Sequence, residues 1–123
     1  MKGIGVDTVA MERFKEVLIG SDHGFIEHVF TTSERKYCAS TPNPTQTFAG
    51  HFAAKEALIK AMPTLRNYGI DWRDIEITHN TFGAPQFVMN ENLLDNLKKA
   101  SASSVLLSIS HTPDTAIAMV AVV

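Results

Sequence analysis

Four ionisable side chains stand where charge is out of place. Phe48–Met62 is apolar or small almost all round, yet it carries His51, Lys55, Glu56 and Lys60. A helix apolar on every side is a buried helix, and buried charge needs a partner or a ligand. Glu56 has two readings. It can pair with Lys60 one turn on, a contact of about 0.2–0.5 kcal/mol when exposed, or it can hold a cation. Asp7, near the start of the chain, is either a cap for the helix that follows or a second cation ligand. Lys55 and Lys60 are donors suited to phosphate oxygens, or they snorkel, stems buried and heads in water. His51, one turn before Lys55 on the same face, reads as structural rather than catalytic.

A second group is Ser108-Ile109-Ser110-His111 at a strand end. A Ser–His nucleophile pair is set aside. No G-x-S-x-G elbow surrounds either serine, and no third residue orients the histidine. A contact to phosphate or to a metal-bound water fits better. Two acids, two lysines, a histidine and hydroxyls together suit a magnesium–phosphate site, because Mg2+ takes a couple of carboxylates and fills its other positions with water and phosphate. With Cys38 the only cysteine, zinc ligands are too sparse.

These residues need elements to position them. Lys2–Val9 reads as a strand that should be central, with Ile4, Val6 and Thr8 on one face. Gly3, Gly5, Asp7 and Val9 share the other, a shallow surface that a backbone or ligand can approach closely. Met11, Phe14, Val17 and Leu18 give a helix stopped at Gly20, and Ser21–Gly24 is a break. A short amphipathic turn follows at Phe25–Phe30. Thr31 with Glu34 fits a capping box, Ser40–Thr47 reads as a loop, and Pro63 ends the buried helix. Asp74–His79 and Gln86–Met89 form a hairpin around Thr81–Pro85. Asn90 caps a helix with Leu93, Leu94 and Leu97 on one side. Val105–Ser110 and Thr115–Val122 form a second hairpin. The last strand is apolar on both faces, so it should be central or lie at an interface. The order β-α-α-α-β-β-α-β-β is that of an α+β fold, a mainly antiparallel sheet packed on a long buried helix.

Composition narrows the function classes. The 123 residues make one domain, 1–123. Net charge is −2, which argues against bulk binding of nucleic acid. The longest apolar run, Ala116–Val123, is too short to cross a bilayer, and no charged-then-apolar leader opens the chain. No membrane partner is expected, and the cytoplasm is the expected location.

Gly3-Ile4-Gly5-Val6-Asp7, Phe48–Ala61 (FAGHFAAKEALIKA) and Leu107–Thr112 (LSISHT), in this order and within this length, resemble the holo-acyl-carrier-protein synthases. These are the short, single-domain class of 4′-phosphopantetheinyl transferases. The Arg13 helix, Phe30–Tyr37 and Gly83-Ala84-Pro85 also fall where that family has them. The resemblance implies Mg2+-dependent transfer of phosphopantetheine from coenzyme A to a serine of an apo acyl carrier protein, with adenosine 3′,5′-bisphosphate leaving. It implies Asp7 and Glu56 as metal ligands, and Lys55 and Lys60 near the phosphates. Ser110 and His111 would lie by the pyrophosphate, Gly83 and Pro85 by the adenine nucleotide, and Arg13 against the carrier. It also implies a homotrimer with active sites between protomers.

Two features depart from the family. His51 stands where many relatives carry arginine, so a mostly neutral ring replaces a fixed charge. The first helix offers Arg13 and Lys15 but also Glu12 and Glu16, which allows for a specialised carrier. The other functions weighed are a catalytically silent coenzyme A or carrier-binding module and an unrelated magnesium-dependent phosphohydrolase.

Overall fold

A computed structural model describes residues 1–20, 24–67 and 70–123. The chain opens with strand β1 (Gly3–Ala10) and four helices: α1 (Met11–Gly20), α2 (Gly24–Val29), α3 (Thr32–Ser40) and α4 (Pro44–Ala61). A short helix α5 (Thr64–Asn67) and a 3-10 turn (Trp72–Asp74) lead to the hairpin β2 (Ile77–His79) and β3 (Pro85–Phe87). Helix α6 (Glu91–Lys99) and the hairpin β4 (Val105–His111) and β5 (Thr115–Val122) complete it. Among the described residues the strands form two antiparallel sheets, β1-β5-β4 and β2-β3. The α+β class is as the pattern implied.

Helix α4 lies across one face of the three-stranded sheet, and the floor beneath it is made of small residues. Gly5 pairs with Val120, Asp7 with Ala118 and Val9 with Ala116. Ala116, Ala118, Val120 and Val122 are buried on that face, and α4 meets them with Ala53, Ala54, Ala57 and Ala61. The approach is so close that a Cβ on Gly3 would strike the Ala61 carbonyl, and one on Gly5 the Ala57 carbonyl. The glycine face of β1 therefore takes a helix backbone.

Several expected boundaries move. β1 is an edge strand and β5 is central; the apolar character of β5 marked the centre better than the chemistry of β1 did. α4 begins at Pro44, four residues before Phe48. Asn43 caps it by accepting from the Gln46 amide at 3.2 Å, and proline at the first helical position surrenders no bond. The second half of the expected loop Ser40–Thr47 is thus helix start. β2 is shorter than Asp74–His79 because Asp71 caps the 3-10 turn through the Arg73 amide. The Thr31–Glu34 capping box and the Asn90 cap are present as read. Part of the expected break, at residues 21–23, lies outside the described residues.

The sheet's other face is open. Ile4, Val6, Leu106, Ile117 and Met119 are exposed there, in rows set by the pairing Ile4–Ala121–Leu106 and Val6–Met119–Ser108.

Because backbone blocks the space at Gly5, Gly5→Ala is expected to cost at least about 2 kcal/mol in a denaturant unfolding curve. Gly20 has open space around its Cα, so Gly20→Ala should stay within about 0.5 kcal/mol of the parent.

Candidate functional site

The close approach of α4 to β1 assembles the charged residues. Asp7 lies on the helix-facing side of β1, two residues beyond Gly5. Lys60 stands one turn after Glu56 on α4. The Lys60 ammonium donates to Asp7 Oδ1 at 2.9 Å and to the Val6 carbonyl at 3.1 Å. So Lys60 pairs with the aspartate across the two elements, and the alternative pairing with Glu56 is not what holds it. Burial raises the Glu56 carboxyl above its ordinary range, the Asp7 charge adds to this, and Arg66 and Lys60 pull it back. Two carboxylates that disfavour each other's charge are a donor set that a divalent cation would relieve. Among the described residues no group of three or more His, Cys, Asp or Glu could hold a metal by itself. Two carboxylates nevertheless suit Mg2+, which keeps water and phosphate oxygens. Asp7 and Glu56 line a cleft of about 570 Å3 that Arg13 also lines, walled by Phe14, Phe25 and Phe52.

Gly83, Pro85 and His111 lie elsewhere on the protomer. They line a smaller cavity of about 200 Å3, shared with Tyr37, His51 and His79. Among the described residues none lines both clefts. Gly83 has φ 83°, the left-handed conformation its turn needs. Ser110 pairs with Ile117, and β4 alternation puts it on the open sheet face. His111 falls on the opposite face with Ile109, so the two neighbours do not act together within one protomer.

Lys55 corrects the sequence reading. Its side chain is fully buried, and its ammonium donates to Val29 O at 2.6 Å, Glu34 Oε1 at 2.7 Å and Trp72 O at 3.2 Å. It also sits 5.1 Å from the Phe30 ring centre. Three protein oxygens occupy its donors, so it does not serve a phosphate here. Helix geometry is the reason: Lys55 and Lys60, five residues apart, point about 140° away from each other. Burial lowers the Lys55 ammonium, and Glu34 pushes it back up.

Glu34 is the partner that sequence reasoning missed. It was legible only as a capping residue, accepting from the Thr31 amide at 2.9 Å. It also accepts from the Ile77 amide at 3.1 Å, which ties α3, α4 and β2 to one carboxylate.

His51 packs against this network. Its Nδ1 is 3.6 Å from Cys38 Sγ and 3.9 Å from Glu34 Oε2. Burial first, then His79 and Lys55, push its pKa down to about 3. Burial and Glu34 push the Cys38 thiol up to about 12, so it is an inert thiol. The His51 Nε2 is buried without a partner among the described residues, at a cost of about 1–3 kcal/mol. Tyr37 stacks on His79 with ring centres 4.0 Å apart, and on His51 at 5.8 Å.

A family model described as the 4′-phosphopantetheinyl transferase superfamily matches residues 3–120. The chain is 35% identical over 118 residues to a holo-[acyl-carrier-protein] synthase from Geobacter sp. (strain M21), covering 96% of this chain and 94% of the relative. The crystal structure of the Neisseria meningitidis holo-[acyl-carrier-protein] synthase superposes with a TM-score of 0.84 at 30% identity, over 99% of this chain and 98% of that one. The Helicobacter pylori holo-[acyl-carrier-protein] synthase, in complex with coenzyme A, gives 0.83 at 28% identity, over 98% and 99%.

The two lysines should respond differently to truncation. Lys55→Ala strands the buried Glu34 and is expected to cost about 3–5 kcal/mol. Lys60→Ala removes a half-exposed partner and should cost about 0–1 kcal/mol; paired unfolding curves check both. Stability should also depend on pH through His51. The unfolded ring binds a proton below 6.5, whereas the folded ring stays neutral to about 3. This contribution is complete above pH 6.5 and is lost as pH falls toward 3, at about 1.4 kcal/mol per pH unit. His79 is shifted the same way by burial and adds to the slope. Unfolding free energies measured across that window should be shallower in His51→Gln.

Proposed function

The chain belongs to the 4′-phosphopantetheinyl transferase superfamily, and we propose that it moves the phosphopantetheine arm of coenzyme A onto a serine of an apo acyl carrier protein. Adenosine 3′,5′-bisphosphate is the leaving product. The observation that carries this reading is the meeting of Asp7 and Glu56 at one cleft, with Lys60 bonded to Asp7, held by the glycine-floored contact of α4 with β1. Asp7 and Glu56 would hold Mg2+ against the pyrophosphate. Bound there, the ion supplies charge stabilisation to the phosphate oxygens.

The residues do the rest. The carrier serine oxygen attacks the phosphorus next to the pantetheine arm, and the bond from that phosphorus to the adenosine-side oxygen breaks. Negative charge grows on the departing and equatorial oxygens. Lys60, kept next to Asp7 and reaching solvent, offsets it. The serine proton passes to solvent water, since a carboxylate engaged as a ligand is a poor base. Arg13, at the same cleft, meets an acidic side chain of the carrier. Gly83, Pro85 and His111 form the nucleotide half, while Ser110 reaches a phosphate only from the open sheet face. Lys55 has no part in the chemistry; it positions α4.

The two halves line separate clefts on one protomer, and the sheet leaves an apolar face open. Both features support a homotrimer with the active sites between protomers. A neighbour would cover Ile4, Val6 and Met119 and bring its cavity to the Asp7 cleft, and contiguous exposed apolar area of this kind marks an association surface. Fatty-acid biosynthesis in the cytoplasm is the setting this activity fits.

Intact-protein mass spectrometry tests the reaction. An apo acyl carrier protein incubated with the chain, coenzyme A and Mg2+ should gain the mass of one phosphopantetheine group, and EDTA should abolish the gain. Asp7→Ala and Glu56→Ala should each lower the rate by about a hundredfold or more while circular dichroism stays unchanged. Full activity in both variants would overturn the metal assignment. Coenzyme A binding without transfer would direct the search to a different carrier.

A further inference from the structure

One of the two cleft carboxylates is already engaged by a cation of the chain itself. The Lys60 ammonium donates to Asp7 Oδ1 at 2.9 Å and to the Val6 carbonyl at 3.1 Å. Its side chain is 51% exposed and that of Asp7 18%, so the lysine reaches water while the carboxylate is mostly covered. The two bonds differ in kind. The Val6 carbonyl belongs to the β1 backbone and anchors the lysine beside the strand. The Asp7 oxygen is an atom that a divalent cation at Asp7 and Glu56 would also seek.

A lysine in this place does for the carboxylates part of what a metal ion would do. Burial first, and then the Asp7 charge, raise the Glu56 carboxyl, and Arg66 and then Lys60 draw it back. An ion arriving alone competes with Lys60 for Asp7 and then stands beside a displaced ammonium, a like charge. A ligand with phosphate oxygens relieves both obstacles. It accepts the ammonium's hydrogen bond and brings negative charge to the cluster. The exchange is open to Lys60 because a half-exposed pair is weak. It is closed to Lys55, which three oxygens hold in full burial.

We propose that Lys60 is a placeholder for the metal: it keeps Asp7 engaged until a phosphate ligand takes its ammonium, so that the divalent cation and the diphosphate of the substrate bind cooperatively. The inference rests on the transfer reading, in which Asp7 and Glu56 hold Mg2+ and coenzyme A supplies the diphosphate. Such coupling is reciprocal, so Mg2+ strengthens coenzyme A binding by the factor by which coenzyme A strengthens Mg2+ binding.

Calorimetric titration of the full chain with Mg2+, with and without saturating coenzyme A and with no carrier present, tests this without turnover. Coenzyme A should raise the parent's Mg2+ affinity at least about tenfold. Lys60→Met keeps the stem and removes the charge. It should bind Mg2+ alone at least about fivefold more tightly than the parent, and its gain from coenzyme A should shrink by a similar factor. Arg66 is an exposed cation that acts on Glu56 and is bonded to neither carboxylate among the described residues. At about 0.15 M salt, which screens exposed charges, Arg66→Met should change Mg2+ affinity by less than about twofold. Equal gains in the two variants mean a field effect only and overturn the proposal, as does equal Mg2+ affinity of the parent and Lys60→Met.

Amine labelling of the parent with acetic anhydride, read by peptide mass spectrometry, needs no variant. Saturating Mg2+ alone should free Lys60 and speed its labelling, and coenzyme A added with Mg2+ should suppress it. A labelling rate indifferent to both overturns the proposal. No Mg2+ binding by the parent with coenzyme A present overturns it together with the metal assignment. Carrier modification with no effect of Lys60→Met on Mg2+ binding sinks this inference alone. The coupling without carrier modification sinks the transfer reading alone.

Discussion

The distance between α4 and β1 is the constraint on which the rest of the molecule depends. A glycine at positions 3 and 5 lets helix carbonyls sit where side chains would otherwise stand. Alanines on β5 and α4 extend the same close contact across the sheet. That contact brings a strand aspartate and a helix lysine into a 2.9 Å bond and sets Glu56 beside them. Were the helix held off by one methyl layer, Asp7 and Lys60 would lose their bond, and the two carboxylates would no longer act on one ion. Packing and chemistry are therefore one requirement here, which is why this edge strand carries glycine where a strand would otherwise favour β-branched residues.

The same helix carries a second ion pair with a different purpose. Lys55 and Glu34 are fully buried, and every donor of the ammonium meets an oxygen. Desolvation makes such a pair a weak net stabiliser, but losing either half is severe. Its contribution is to location: one carboxylate collects a helix cap, a strand amide and the α4 lysine. Lys60 and Asp7, by contrast, have side chains 51% and 18% exposed. A lysine left at the rim of a cleft can exchange partners as charge develops; one fixed by three oxygens cannot.

The fold was largely readable because its cues are local. The Thr31–Glu34 box, the Asn90 cap, the period-two hairpins and the all-round apolar helix each act over a few residues, and each reappears in the structure. The failures are non-local. That β1 is an edge depends on which strand β5 pairs with next. The early start of α4 was hidden because Thr45, Gln46 and Thr47 look like loop residues, although a cap with proline behind it is a sound helix start. Lys55 was misread because its partner lies 21 residues away in a segment whose glutamate already had a local explanation. Two lysines in one motif invite one role, and the helical angle between them denies it. Glu56 and Lys60 were legible because charge on a buried helix is rare whatever its partner, and Asp7 because it is an acid on the glycine face of a strand. The separation of the nucleotide-side residues into their own cavity was not, since it depends on where the β2–β3 hairpin folds back.

The molecule divides its electrostatics between those two clefts. One gathers Asp7, Glu56 and Arg13, with Lys60 bonded to Asp7, groups that change energy steeply when phosphate and a divalent ion arrive. The other gathers histidines and a tyrosine, and burial keeps His51 uncharged through the pH range in which free imidazole titrates. Recognition by a neutral cavity depends on shape and on the direction of hydrogen bonds, and it varies little with salt. Recognition at the charged cleft depends on the number of charges and is screened. A substrate with a charged linkage and a neutral ring would be held by both kinds of force at once, with its reactive phosphate at the cleft where field is strong. If neighbouring protomers bring the clefts together, neither half need be complete alone. The fixed geometry of the sheet, set by the same glycine contact, then decides how far apart ring and phosphate are held.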